Sequence, residues 1–378
     1  MKVLLLADAE SIHTKKWVVS LKEMNINVAV FSLRDSLDEI YSKGILLYSC
    51  DIDNSIFQKG SLLKKLCKYI LCVFRLKKVV NEFRPDVIHA HYASSYGLLG
   101  ALLNYHPFVI SVWGSDIYDF PNKTIFNKYI IKYNFMCANQ ILSTSYAMVK
   151  EIKKYTKKEI KVIPFGVDTN NFKVKKINSV FSNSDFVFGS IKSLEKIYGV
   201  DNVIRAFAKV SKKYPNLNLN LLIVGDGCEK GNLEELSRKL GVNKATKFIG
   251  KVNHSDISRY LNMMSISMVL SHSESFGVSV LEASACEKPI IATDVGGLPE
   301  VVNNNETGII VADNNIDETV KAMCFFVDNP DKISQMGERG RKFVKKHYRW
   351  EQSVSEVLNV YCYVLERCKK IALHSAGQ

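Results

Sequence analysis

Short apolar runs recur along the chain, with helical spacings of apolar residues between them. Residues 3–6, Val-Leu-Leu-Leu, read as a buried strand, and Trp17, Val18 and Leu21 then recur as one face of a helix. A second strand at 27–32 completes the β-α-β start of a doubly wound lobe. Further strands are predicted at 85–91, 108–112 and 140–144, with helices at 97–103 and at the lysine-rich stretch 148–158. A second series follows: strands at 186–191, 219–224, 247–251, 266–270, 289–293 and 307–311, and helices at 200–212, 255–263, 317–326, 332–346 and 350–370. Strands alternating with helices define an α/β chain, and 378 residues exceed one ordinary core, so two domains are expected.

The stretch 271–297 carries the most chemistry. It runs from the strand at 266–270 through a loop into a helix marked by Val278, Leu281 and Ala285, which Pro289 ends. In such a βαβ unit the loop at the strand's carboxyl end faces the ligand crevice, and the first amides of the helix favour a phosphate. Glu274 lies in the loop and Glu282 in the helix. At about 1.5 Å per helical residue they stand roughly 12 Å apart along the axis. That exceeds the ~5–9.5 Å of an acid/base pair across one glycosidic bond. It suits two hydroxyl-rich groups flanking a diphosphate docked on the Gly277 and Val278 amides. Two unrelated glutamates on a surface helix are the commoner meaning of a bare pair at this spacing, and the surrounding residues raise this one above it.

Those residues, S-E-S-F-G-x-x-x-L-E-A-x-A-x-x-x-P-I-I-A-T-D-V-G-G-x-P-E from Ser273 to Glu300, resemble the donor motif of the family 4 retaining glycosyltransferases. The resemblance implies the GT-B fold, two Rossmann-like doubly wound lobes facing a central cleft. It implies that Glu274 contacts the transferred sugar, that Phe276 and Gly277 bring backbone to the sugar and phosphates, and that Glu282 holds the ribose hydroxyls. Many relatives carry Gly-Arg at the end of the first strand of the second lobe and a lysine six residues after the arginine, the two cations clamping the diphosphate. Here Lys196 stands at the lysine position, Ser190 replaces the arginine, and Lys192, two residues on, is the candidate substitute. A lysine does not reproduce the arginine fork. The Gly225-Asp226-Gly227 turn after the strand at 219–224 borders the nucleotide in the family, although a bare G-x-G is weak evidence for phosphate.

The family also places a histidine and a Gly-x-Asp at the sugar end of the cleft. Asp116, in Trp113-Gly114-Ser115-Asp116, matches the aspartate; His89 and His91, alternating on the strand at 85–91, are the candidate histidines, and either could be an ordinary buried imidazole. The Gly-rich acceptor loop that family members often have after the first strand is missing, with Ser11, Ile12 and His13 in its place. The phrase at 161–168, with Phe172 after it, resembles the family's interdomain crossover. The domains are therefore expected at 1–172 (acceptor side) and 173–349 (nucleotide-sugar side), with a helix at 350–378 crossing back to the first lobe and a polar linker at 173–185.

Composition changes the picture in two ways. Nine cysteines, odd in number and without a CxxC pair, read as reduced thiols and leave no zinc-finger spacing. The first ten residues are too poor in apolar positions for a signal peptide, and no run approaches the ~18 apolar residues of a spanning helix. The formal net charge is +13, and residues 59–84 hold eight Lys or Arg (59, 64, 65, 68, 75, 77, 78 and 84) against the single acid Glu82. Interleaved Leu62, Leu63, Leu66, Ile70, Leu71, Val73 and Phe74 make this either a core helix with solvated lysines or a helix lying on an anionic membrane. The aromatic and lysine alternation of 120–133 offers the same two readings. No nucleic-acid motif accompanies the charge.

The chain is thus expected to be a cytoplasmic enzyme, peripheral on the inner face of the plasma membrane. It would move a sugar from a nucleoside diphosphate sugar, UDP preferred over GDP, to a lipid-linked glycan acceptor in surface polysaccharide or O-antigen assembly. The nucleotide sugar is a co-substrate, and neither a resident cofactor nor a catalytic metal is expected. A sugar-nucleotide epimerase, or a non-catalytic nucleotide-sugar-binding protein, would need the same donor site.

Overall fold

The computed structural model describes residues 1–42, 44–50, 62–182 and 185–376. It contains two compact units: Met1–Ile163 together with the chain from Val354 on, and Pro164–Ser353. The second unit takes in the segment before Phe172 because that segment is tied to it by backbone. Val167 N–H donates to Tyr348 O at 2.8 Å, Trp350 N–H donates to Val167 O at 3.2 Å, and the Arg341 guanidinium donates to Phe172 O at 3.1 Å.

The first unit is built on seven parallel strands: β1 (Lys2–Leu6), β2 (Asn27–Ser32), β3 (Leu46–Ser49), β4 (Val87–His91), β5 (Phe108–Val112), β6 (Gln140–Ser143) and β7 (Ile160–Val162). Their order is β3-β2-β1-β4-β5-β6-β7. Helices cover both faces, so β1, β4 and β5 are buried along almost their whole length, as parallel strands must be. Leu4, Leu6, Phe31, Ile88 and Ile110 pack against Leu76, Leu99, Ile131 and Phe135 from the helices Leu62–Phe83, Ser95–Leu103 and Ile125–Cys137.

The second unit repeats the plan with six parallel strands: β8 (Phe186–Ile191), β9 (Leu219–Val224), β10 (Thr246–Gly250), β11 (Ile266–Val269), β12 (Ile290–Thr293) and β13 (Gly308–Val311). Their order is β10-β9-β8-β11-β12-β13. Strand order reverses between β1 and β4 in one unit and between β8 and β11 in the other. Ligands of open α/β sheets bind beyond the carboxyl ends of strands at such switch points.

Three local differences from the sequence reading have physical causes. The helix expected over 148–158 is Tyr146–Ile152. Lys153 and Lys157, and Lys154 and Lys158, would face each other one turn apart and repel. Instead Lys158 Nζ donates to the carbonyls of Met136 and Ala138 at 2.6 and 2.5 Å. Strand β3, unpredicted, is an edge strand with no fully buried residue, and the unpredicted helix Lys230–Lys239 buries only Leu233 and Ser237. The strand is too short and too exposed to stand out, and the helix buries too few side chains to read as a core element. Lys59 lies outside the described residues, as do the side chains of Lys64 and Lys65.

Candidate functional site

In the second unit, the loops that follow β8, β9, β11 and β12 converge around Glu274. Lys192 follows β8 directly and Glu274 follows β11, so adjacency of the two strands at the switch point brings the side chains together although 82 residues separate them. Lys192 Nζ donates to Glu274 Oε2, and the two side chains are only 12% and 13% exposed. The ammonium also stands 5.0 Å from the centre of the Tyr198 ring. Ser271 Oγ approaches the same carboxylate oxygen at 3.5 Å.

The glycines of the Thr293-Asp294-Val295-Gly296-Gly297 segment explain themselves here. Gly296 has φ +52°, and a Cβ on it would lie 1.8 Å from Glu274 O; Gly297 N–H donates to that same carbonyl at 3.0 Å. Thr293 Oγ1 donates to Ser271 O at 2.6 Å. The loop after β12 is therefore a brace that fixes the backbone of Glu274, and only glycine permits the approach.

Gly277, at φ +107°, is the N-cap of the helix Val278–Ala285. Only the four steps from Val278 to Glu282 rise helically, about 6 Å, so the loop conformation sets the rest of the separation between the two glutamates. The estimate of roughly 12 Å, which took the helix through both residues, does not apply. Phe276 is buried, with its ring 5.8 Å from that of Tyr348; it is the backbone around it, and not the side chain, that stands at the helix entrance. Val278 opens the helix and is part-exposed.

Glu282 is 7% exposed, and its Oε1 lies 2.8 Å from His254 Nε2. His254 begins the helix His254–Met263 that follows β10, and its ring meets Phe172 edge-on at 5.6 Å. The sequence reading passed over this histidine because one polar residue at a helix start carries no periodic signal.

The remaining donor-side candidates divide. Lys196 opens the 3-10 turn Lys196–Tyr198 and is exposed, while Ser190 is buried inside β8 beside Ile223. Gly225 and Gly227 serve the backbone of the neighbouring loop: Cβ atoms on them would stand 1.8 Å from Lys192 O and 2.4 Å from Leu194 O. Lys192 N–H donates to Val224 O at 3.1 Å and Leu194 N–H to Asp226 O at 2.9 Å. The G-x-G turn therefore positions Lys192.

In the first unit the structure separates the two histidines. His89 is buried with both ring nitrogens engaged, Nδ1 with Tyr361 Oη at 2.7 Å and Nε2 with Ser111 Oγ at 2.8 Å. It joins the last helix, Trp350–Ala376, to β4 and β5. His91, also buried, has its ring centre 4.4 Å from that of Trp113, and Trp113 in turn meets His13 at 5.8 Å and Tyr92 at 5.3 Å. Among the described residues its Nδ1 has no hydrogen-bond partner. Asp116 is 1% exposed and its carboxylate accepts from the N–H groups of Ala93 (2.6 Å), Gly114 (2.8 Å) and Trp113 (3.2 Å). It clamps the loop after β4 to the loop after β5 and so positions the Trp113 cluster.

Burial pushes His89 from 6.5 to about 3, and it lowers His91 well below its ordinary value, with His89 and His13 adding to the effect. Both histidines are neutral in the fold. Below 6.5 the unfolded chain takes up protons that the folded chain refuses, so stability falls as pH drops from 6.5 toward 3. The slope is at most about 1.4 kcal/mol per pH unit per histidine. Between pH 6.5 and about pH 4.5 His89 alone is expected to cost roughly 2–3 kcal/mol. Melting curves across that window should be flatter for His89→Gln than for wild type, and equal slopes would contradict the assignment.

Among the described residues no group of three or more His, Cys, Asp or Glu is arranged to hold a metal ion. No helix among them is long and apolar enough to cross a membrane.

Comparison with known proteins agrees with this architecture. Residues 2–145 match the family model for glycosyl transferase 4-like proteins, and residues 171–343 that for glycosyl transferases group 1. An uncharacterized glycosyltransferase of Methanocaldococcus jannaschii is 26% identical over 358 residues, 93% of either chain. Sucrose-phosphate synthase from Thermosynechococcus elongatus superposes with a TM-score of 0.83 at 18% identity, covering 97% of this chain and 100% of that one. The Anabaena protein HepE in complex with UDP gives 0.80 at 18%, covering 96% and 100%, and it has also been crystallised with UDP-glucose. Two parallel doubly wound units with structural matches of this extent define the GT-B fold. The chain belongs to the group 1 glycosyltransferases, with a first unit of the family 4-like type.

Proposed function

We propose that the protein is a retaining hexosyltransferase that takes its sugar from a nucleoside diphosphate sugar, UDP in preference to GDP. The observation that carries this reading is the Lys192–Glu274 pair, held by a glycine brace at the mouth of a helix whose second turn presents Glu282. In this assignment the sugar lies against Glu274, the diphosphate against the Gly277 and Val278 amides with Lys196 and Lys192, and the ribose against Glu282. UDP and UDP-glucose in crystals of HepE support the nucleotide choice. Retention would follow front-face substitution. The bond from the anomeric carbon to the phosphate oxygen breaks, the bond to the acceptor oxygen forms on the same face, and the departing phosphate takes the acceptor proton. Lysines and amides meet the charge developing on that phosphate, the largest in the site, and no metal is invoked.

A panel of UDP- and GDP-sugars, screened by thermal shift and then by product analysis, tests the reading. A single stabilising donor whose sugar appears in product with unchanged anomeric configuration is the expected result. An inverted product would overturn retention, and conversion of the donor alone to its epimer would replace transfer by epimerisation.

We further propose a lipid-linked glycan acceptor, as in surface polysaccharide or O-antigen assembly, reached from the cytoplasmic face of the membrane. The support is a basic apolar surface on the first unit. The helices Leu62–Phe83 and Ile125–Cys137 both pack on Ser95–Leu103, and they expose Ile70, Leu71, Phe74, Ile125, Phe126, Tyr129 and Met136. Phe74 is 65% and Phe126 74% exposed. Lys68, Arg75, Lys77, Lys78, Lys128 and Lys132 lie on the same two helices, and the second has no acid. At about 1 kcal/mol per basic residue near an anionic surface, Lys68→Glu with Arg75→Glu should weaken binding to phosphatidylglycerol vesicles by 10-fold or more. Phe126→Ser should weaken it further. Unchanged flotation with vesicles in these variants would remove the membrane from the proposal.

A further inference from the structure

We propose that His254 is a positioning residue that sets the Glu282 carboxylate for the vicinal hydroxyls of the donor's ribose. The inference rests on the reading of Glu282 as the group that holds those hydroxyls. Three observations carry it. His254 Nε2 sits 2.8 Å from Glu282 Oε1, and Oε2 has no hydrogen bond from any described residue. One oxygen of a carboxylate that is only 7% exposed is thus tethered, while the other is left to meet a ligand.

The imidazole is itself held in place. It opens the helix His254–Met263, and its far side rests against Phe172, whose carbonyl is fixed in turn by the Arg341 guanidinium. Ser258, one turn further along that helix, donates to Asn171 O at 3.0 Å, so the helix cannot slide without breaking a second tie to the same segment.

The third observation is topological. The chain reaches His254 from the end of β10, four residues after Gly250, whose carbonyl accepts from Gly225 N–H at 2.9 Å. The helix that carries His254 is therefore registered against the loops that position Lys192, and the ribose end and the phosphate end of the site share one backbone frame. A glutamate alone on the Val278–Ala285 helix has three rotatable side-chain bonds. The histidine removes most of that freedom before the ligand arrives, which lowers the entropy cost of meeting a diol.

The test compares UDP and GDP in wild-type protein by calorimetry, and carries forward whichever binds tighter together with its 2′-deoxy analogue. His254→Ala is expected to lose about 5- to 10-fold in affinity for the ribonucleotide. For the 2′-deoxy analogue, which cannot offer the diol, the loss should stay within about 2-fold. His254→Gln, which keeps an N–H donor on a chain of suitable length, should restore ribonucleotide binding to within about 3-fold of wild type. Equal losses on both nucleotides would show a general folding defect and overturn the proposal. So would wild-type affinity in His254→Ala, or a failure of the glutamine to restore binding. Glu282→Ala separates the two levels. Should it bind the ribonucleotide as wild type does, the assignment of Glu282 is gone and the inference with it. A loss in Glu282→Ala with none in His254→Ala leaves the assignment standing and removes only the histidine.

Discussion

Glu274→Gln is expected to turn over the nucleotide sugar about 10²–10³-fold more slowly than wild type while binding the free nucleotide at least as well. The carboxylate has two tasks that the substitution separates. With a donor bound it would carry negative charge to the transferred sugar as the bond to phosphate breaks, and an amide of the same shape cannot. Without a donor it neutralises Lys192, a largely buried ammonium whose carboxylate partner in the fold is Glu274. Glutamine leaves that cation under-neutralised, at a cost to the free protein of about 1–3 kcal/mol. A diphosphate arriving nearby compensates for that loss, so nucleotide affinity should hold or rise. Product formation under saturating donor gives kcat, and calorimetry with UDP gives Kd. Turnover within a few-fold of wild type would end the role assigned to Glu274, and a rise in Kd alongside the fall in kcat would show that the loop had collapsed instead.

Asp116→Ala is expected to lower the stability of the first unit by about 3 kcal/mol, roughly 6–12 °C in melting temperature. Two opposing effects decide this. Burial raises the carboxyl pKa of Asp116, while the amides of Ala93, Gly114 and Trp113 lower it, and burial prevails. A carboxyl whose folded pKa lies above its ordinary value is protonated more readily in the fold than in the unfolded chain. Its contribution to stability therefore declines as pH rises through the interval between the ordinary value of 3.8 and the raised one, and is flat above it. Even so, removing the side chain at neutral pH strands three buried N–H groups, and that penalty exceeds the relief of no longer burying a charge. Asp116→Asn keeps one acceptor oxygen and should lose about half as much. Scanning calorimetry at pH 7 measures both, and a melting temperature for Asp116→Ala within about 2 °C of wild type would show that the clamp contributes nothing. Because the clamp orders Trp113 beside His91 and His13, activity should fall in both variants by more than the unfolded fraction accounts for.

The βαβ rhythm was legible without coordinates because each strand is covered on both faces and each helix on one. Burial of that kind writes itself into neighbouring positions: Val3–Leu6 is uniformly apolar, Ile266–Val269 is apolar but for Ser267, and Val200–Lys213 repeats at helical spacing. The edges were not legible. Strand β3 lies at the margin of its sheet and the helix Lys230–Lys239 touches its core through very few side chains. The lysine repulsion that ends the helix Tyr146–Ile152 was visible in the letters, but the carbonyl partners that reward Lys158 for leaving it were not.

The candidate site divides along the same line. By itself the sequence determined the strand–loop–helix unit around Glu274 and Glu282, the glycines in it, and through them the family. Only the tertiary structure decided what each side chain meets. It paired Lys192 with Glu274 and His254 with Glu282, spent both nitrogens of His89 on Ser111 and Tyr361, and turned Asp116 toward three backbone amides. Pattern along a chain reports which face of an element is covered, a property of residues two to four apart. Partnership across a site depends on strand order, and β8 lies beside β11 with two strands and their helices between them in the chain. No local spacing encodes that adjacency.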